Sequence, residues 1–284
     1  MFEKRKIGKT LQIYKPPQEF IKVPFETITY HYWVGNAQHI GKRKIQEDAF
    51  AFSDLGNQNL LMQNGICAVL SDGIGGLNNG HIVSNFVVKS VLTAFPQINL
   101  TNPISQQLQN IAQKINYDIM TQELSDCGAT LLTAIIHQNK LFWCSIGDSR
   151  IYLFRNGYLH QLNEDHDYQN KLLSQYINSE YPLSLAFSDL QKDNLTSYIG
   201  IPNLKLIETT KRYFTLQNGD KIILCTDGVY QTLSKTELQT YLKAQPQDAC
   251  ENIIYGVMYK KLKTQDNSTV MIIEMNSEKR TNYE

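Results

Sequence analysis

The sequence has no paired-cysteine motif. Its five cysteines (Cys67, Cys127, Cys144, Cys225 and Cys250) stand singly and their number is odd. That argues against a disulfide framework or a structural zinc site and favours a reducing compartment. No apolar run approaches ~20 residues, so no segment reads as membrane-spanning. Neither sign of charge is in excess: 27 Lys and Arg balance 27 Asp and Glu. A general nucleic-acid binder needs a basic surface, which this balance does not supply. A local acidic cluster compensated elsewhere remains compatible with it. The opening stretch, "MFEKRKIGKTLQIYKPPQEF", carries basic residues but no apolar core of a secretory leader, so a cytoplasmic protein is expected.

At 42% hydrophobic and 19% charged residues, the 284-residue chain can bury a substantial core. Residues 1–26 read as an N-terminal extension, with Pro16, Pro17 and Pro24 and little apolar periodicity. From Thr27, "TITYHYWVG" reads as strand, and "GICAVLS" as a short buried strand. "HIVSNFVVKSVLTAF" predicts a helix with Ile82, Phe86, Val87, Val91 and Ala94 on one face. Asn102 and Pro103 open a second helix, whose apolar positions Ile104, Leu108, Ile111, Ile115 and Ile119 step by three or four. "ATLLTAIIHQNKLFWCSIG" predicts two strands joined at His137–Lys140. "RIYLFRNGYLHQL" predicts a hairpin turning at Asn156-Gly157. Residues 166–200 read as an insertion over the sheet. Strands are expected at Lys205–Thr210, Lys221–Thr226 and "STVMIIEM". A capping box at Ser234–Glu237 and Pro246 each open a helix, the latter with Ala249, Ile253, Ile254, Val257 and Met258 inward. Residues 277–284 read as a polar tail. The whole predicts one α+β domain over 27–276.

Several carboxylates stand where apolar runs end. Asp72 follows "CAVLS" and Asp227 follows "IILCT", each with glycine next. Asp266 precedes the last strand, Glu47 and Asp48 stand in "RKIQEDAF", and Asp148 stands in "SIGDSRIY". One Asp-Gly at a strand end is ordinarily a turn. Together they suggest more, because rigid strand ends can hold carboxylates with the accuracy that metal coordination needs. Clustered carboxylates repel unless protonated or neutralised by cations. Oxygen donors without neighbouring Cys or His favour Mg²⁺ or Mn²⁺. Two such ions roughly 4 Å apart activate a bridging water.

The blocks "RKIQEDAF", "VLSDGIGG", "GATLLTAI", "IGDSRIY", "NEDHD", "LCTDGVY" and "DNSTVMII" follow the order of the PP2C-type, metal-dependent serine/threonine phosphatases. The resemblance spans about residues 30–275 and is nearest to compact bacterial members. It implies a four-layer α-β-β-α sandwich, two antiparallel sheets flanked by antiparallel helix pairs, with two Mn²⁺ or Mg²⁺ ions in a cleft at one end. It implies that Asp72 bridges both ions. Glu47 and the Gly73 carbonyl serve one, Asp227 and Asp266 the other, and Asp48 is a ligand or supports one. Asp148 and Asp227 match the positions that hold a third, weaker ion. Arg43 matches the arginine that binds substrate phosphate, a task suited to a bidentate guanidinium. Residues 166–200 fall at the family's variable flap.

The implied activity is hydrolysis of phosphoserine and phosphothreonine in proteins by in-line attack of a metal-bridging hydroxide. The expected partners are phosphorylated proteins of a cognate kinase, and the chain is expected to act as a monomer. Two alternatives stand beside this: a decayed fold that binds phosphoproteins without cleaving them, and hydrolysis of small phosphorylated metabolites. Ile74 replaces the histidine of animal relatives, and Gln46 replaces the usual asparagine of bacterial ones. Cys127 reads as packing and His166 as a structural, hydrogen-bonded histidine. Tyr30, Tyr32 and Trp33 read as sheet and core packing.

Overall fold

The computed structural model describes residues 25–74, 79–121, 127–177 and 194–282. Most of the N-terminal extension, part of the expected flap and the last two residues of the tail lie outside these. Tyr30–Asn276 forms one compact unit, and the described residues on either side of it belong to a second.

Two sheets organise the main unit. The first has the order β1 (Phe25–His39), β11 (Ser268–Asn282), β10 (Asp220–Cys225), β6 (Arg150–Arg155), β7 (Tyr158–Gln161). The second runs β2 (Ala49–Phe52), β3 (Ile66–Ser71), β4 (Leu131–His137), β5 (Lys140–Ile146), β8 (Glu208–Thr209), with β9 (Phe214–Thr215) also on β5. Around β10 the pairing is antiparallel, with Ile222 opposite Leu153 and Ile273; around β3 it is antiparallel too, with Ala68 opposite Ala134 and Phe52.

Side-chain alternation sorts the strands' residues into three cores. Ile66, Ala68 and Leu70 of β3 and Leu132, Ala134 and Ile136 of β4 meet Ile151, Ile222, Leu224, Met271 and Ile273 of the other sheet. The opposite face of β3 and β4, with Cys67, Val69, Leu131 and Ile135, packs on α2 (Gly80–Ala94) and α3 (Ile104–Thr121). The outer face of the first sheet, with Tyr152, Ile223, Val270 and Ile272, packs on α6 (Lys235–Tyr241) and α7 (Pro246–Tyr259). The result is the expected four layers. The other α-helices of the described residues are α1 (Gln58–Asn64), α4 (Tyr168–Ile177) and α5 (Asp227–Tyr230).

Several local expectations hold. Asn156 and Gly157 both have positive φ (52° and 80°), as their tight turn requires. Ser234 and Glu237 form a reciprocal capping box, and Pro246 opens α7. Others are corrected. Ile82 is 43% exposed, and α2 turns Val83 inward in its place, beside the expected Val87 and Val91. Met258 is 47% exposed on the outer side of α7. Pro103 precedes α3 rather than lying within it; its carbonyl accepts from the Gln107 N–H. The strand expected at Lys205–Thr210 shrinks to Glu208–Thr209. The last strand continues through the expected polar tail as far as Asn282. Tyr30 and Tyr32 pack partly into the central core, but Trp33 is largely exposed. The stretch expected to lie over the sheet contributes Leu172 and Ile199 to the interior.

Candidate metal centre and its relatives

Asp72 begins where β3 stops. Its main chain is held from both directions by Thr130, one residue before β4. The Asp72 N–H donates to the Thr130 hydroxyl at 2.8 Å, and the Thr130 N–H donates to the Asp72 carbonyl at 2.8 Å. The Thr130 hydroxyl also pairs with that of Ser149 at 3.0 Å, beside Asp148. Gly73, next in the chain, donates to the Glu47 carbonyl. A Cβ at Gly73 would lie 2.6 Å from the Gly80 carbonyl carbon and 2.8 Å from the Glu47 oxygen, so only glycine lets these three segments meet.

Glu47 and Asp48 are fixed across a long sequence separation. Asn267 accepts from the Glu47 N–H at 2.8 Å, and its amide donates to the carbonyls of Ile40 and Ile45. Asp48 is 4% exposed. Its Oδ2 accepts from the hydroxyls of Thr269 (2.6 Å) and Thr226 (3.1 Å). Its Oδ1 is buried with no donor among the described residues. Gln46 accepts from the Asp48 N–H, which gives that side chain a role in shaping the turn. Gln38 ties the Asp48 carbonyl to the Thr269 hydroxyl.

Asp227 opens α5 directly after β10, and Asp266 stands shortly before β11. Arg43 donates to Asp266 Oδ2 at 2.6 Å. Tyr230, from α5, donates to the Asp148 carbonyl at 3.1 Å. Arg150 stacks on the Tyr230 ring at 3.6 Å and binds Asp165 through two nitrogens. His166 is buried, accepts from the Gly147 N–H, and is pushed down to about 4 by burial. It is the hydrogen-bonded histidine the sequence suggests.

Electrostatics place the expected carboxylates in one space. Burial, and then Asp48, Asp227, Asp148 and Asp266, hold the Asp72 carboxyl well above the usual range. Burial, then Asp266 and Asp48, push Asp227 up to about 7. Burial, then Asp227 and Asp165, push Asp148 up to about 7. Asp48 is raised by burial to about 6, with Asp72 within hydrogen-bonding reach. Glu47 is raised by burial against the pull of Arg43 and His81. Hydrogen bonding to Asp266 holds the Arg43 guanidinium above its ordinary value.

As the side chains stand, no three acidic, His or Cys groups among the described residues form a ready cage for a metal ion. Asp266 is turned to Arg43, and one oxygen of Asp48 to two threonines. The donor set nonetheless suits a hard divalent cation. It is all oxygen, its members repel one another, and one buried carboxylate oxygen has no donor among the described residues. A cation answers all three conditions at once.

The family model for protein phosphatase 2C matches residues 36–264, which include every residue of this cluster except Asp266. The chain belongs to the protein phosphatase 2C family. Among its relatives, the serine/threonine phosphatase Stp of Listeria monocytogenes is 27% identical over 214 residues, covering 72% of this chain and 83% of Stp. The protein phosphatase PhpP of Streptococcus pneumoniae is 28% identical over 218 residues, covering 74% of this chain and 86% of PhpP. Among solved structures, the S. agalactiae serine/threonine phosphatase superposes with a TM-score of 0.73 at 22% identity, covering 86% of this chain and 99% of its own. This phosphatase 2C chain thus has the family's fold and bacterial relatives.

Sequence reasoning did not find the partners that hold the carboxylates: Gln38, Thr130, Thr226, Asn267 and Thr269. The signal was adjacency, since Thr226 and Asn267 each neighbour a candidate ligand and Thr130 lies inside a quoted block.

Proposed function

We propose that this chain is a metal-dependent protein phosphatase that hydrolyses phosphoserine and phosphothreonine through the carboxylate cluster at one end of the sandwich. The observation that carries the reading is the convergence of Asp48, Asp72, Asp148 and Asp227, whose mutual repulsion in a buried space calls for cations. Asp72, Glu47, Asp48, Asp227, Asp266 and the Gly73 carbonyl would hold a pair of Mn²⁺ or Mg²⁺ ions, and Asp148 with Asp227 a third. Such ions supply an activated water and neutralise phosphoryl charge. The chain's own contribution is positioning. Thr130 sets the Asp72 main chain, Thr226 and Thr269 orient Asp48, and Asn267 holds the loop that carries Arg43. Arg43 receives the phosphate, exchanging one anion, Asp266, for another. Ile74 has no proton to give, so the leaving alkoxide takes its proton from water or another group.

The test is hydrolysis of p-nitrophenyl phosphate and of phosphoserine and phosphothreonine peptides with Mn²⁺, with Mg²⁺ and after EDTA. Metal-dependent release of phosphate is expected. Undiminished turnover after exhaustive chelation overturns the metal's role. Peptides bound but never cleaved, in any metal, overturn the enzymatic one.

A further inference from the structure

A second feature lies one residue from Arg43 in the chain. The loop 40–44 and the segment leaving α7 run side by side. The Lys42 N–H donates to the Gln265 carbonyl, and Gly41 lies against the backbone of Gln265 and Asp266. Lys261 ends the helix in the left-handed region, with φ 51°, its N–H on the Met258 carbonyl. That turn brings Lys261 and Leu262 round to face His39 and Lys42. The four residues, with Val257, Met258 and Gln265, line a cleft of ≈ 350 Å³. Val257, Met258 and Leu262 make its lining partly apolar, and Lys42 and Lys261 make it cationic.

That charge is unspent. Lys42 and Lys261 line the cleft, and Lys44 and Lys263 stand two residues further along the chain from each; all four are exposed, and among the described residues none of their side chains makes an ion pair. The neighbouring Lys260, in contrast, is held by Glu237 at 2.6 Å. Among the described residues, no acidic side chain lines the cleft. In a chain of zero formal charge, this gathers unpaired lysines close in the chain to Arg43.

We propose that this cleft binds the acidic stretch flanking the phosphorylated residue of a protein substrate, and so selects among substrates. The proposal rests on the phosphatase reading for the position of the phosphate at Arg43. An extended peptide advances ~3.3 Å per residue, so a few residues beyond the phosphorylated one reach the cleft. Carboxylates on that stretch meet the lysines, and an apolar side chain meets Met258 and Leu262. A peptide fits better than a nucleic acid or a lipid surface, because the site is a cleft with apolar side chains in its lining rather than a broad basic face.

The experiment uses the full chain, with Mn²⁺, on two phosphothreonine peptides that differ only in flanking glutamates or glutamines. The variants are Lys261→Glu with Lys263→Glu, and the milder Lys261→Ala with Lys263→Ala. The glutamate peptide should be the better substrate, and the charge-reversed variant should lose about tenfold in its kcat/KM, since each exposed ion pair contributes only a fraction of a kcal/mol. The loss should shrink at high salt, and turnover of p-nitrophenyl phosphate should stay within about twofold of wild type. Fluorescence anisotropy of an unphosphorylated glutamate peptide reads the cleft without hydrolysis, and its binding should weaken in the same variants. Equal turnover of both peptides, or a parallel loss on p-nitrophenyl phosphate, overturns the proposal. So does tighter binding of a single-stranded RNA or of phosphatidylglycerol vesicles than of the glutamate peptide. If wild type hydrolyses nothing, the phosphatase reading falls, and the anisotropy measurement still decides the cleft.

Discussion

Thr130 touches no reacting atom in the proposed chemistry, yet its hydroxyl and N–H both hold Asp72, and the hydroxyl reaches on to Ser149 beside Asp148. Thr130→Val keeps the shape and removes the hydroxyl, leaving the Asp72 N–H unpaired, a loss of about 1–3 kcal/mol. Side chains that orient a ligand typically contribute 10–100-fold in metal affinity, so calorimetric titration with Mn²⁺ should show a loss of about tenfold or more in Thr130→Val and near wild-type binding in Thr130→Ser. Equal affinities in all three would remove Thr130 from the site's architecture. The carboxylates themselves set a pH dependence. Asp48, Asp148 and Asp227 are raised by burial to about 6, 7 and 7, so the folded chain keeps protons that the unfolded chain releases. That contribution is full below the unfolded pKa and is lost as pH rises through the folded values. His166, lowered to about 4, acts oppositely: its contribution is present above its unfolded value and lost as pH falls toward 4. The clean window is therefore between about pH 6.5 and 8. Urea midpoints in EDTA should fall with rising pH there, and added Mn²⁺ should flatten or reverse the trend.

At the scale of elements, close approach replaces side-chain bonding. The loop after β3, the turn before β2 and the first residue of α2 meet at Gly73. Gly73→Ala forces backbone against backbone, so phosphatase turnover should fall at least about tenfold while far-ultraviolet circular dichroism keeps its native shape. A fully active Gly73→Ala would show that the three segments have room to part. This meeting point also marks where the sequence stops being legible. Elements ruled by local chemistry could be read directly: the Asn156-Gly157 turn, the Ser234 capping box and the Pro246 start. The strand-end carboxylates could be read too, because an apolar run ending in Asp-Gly is a local pattern. Ile82 and Met258 were misplaced because a helix rich in apolar residues offers two adjacent stripes, and only packing against the sheet chooses between them. The end of β11 is polar enough to read as tail, but strand pairing is made by the main chain. The partners that fix the site stayed hidden because they bridge long stretches of sequence: Thr269 to Asp48, Asn267 to Glu47, Thr130 to Asp72.

Across the whole molecule, the two sheets share an apolar core but contribute separately to the cluster. Asp72 extends from β3 in one sheet, whereas Asp227 follows β10 and Asp266 precedes β11 in the other. A cation held among them binds the native state only, so it should stabilise the entire fold. Thermal melts should rise with Mn²⁺, and Asp72→Asn should abolish most of the rise; an equal rise in that variant would place the ion elsewhere. The placement of these carboxylates has a mechanical corollary. Ions held among them would also rivet the two halves of the sandwich at one end, so that a sliding of one sheet over the other would change their fit, and stripping them would free that slide.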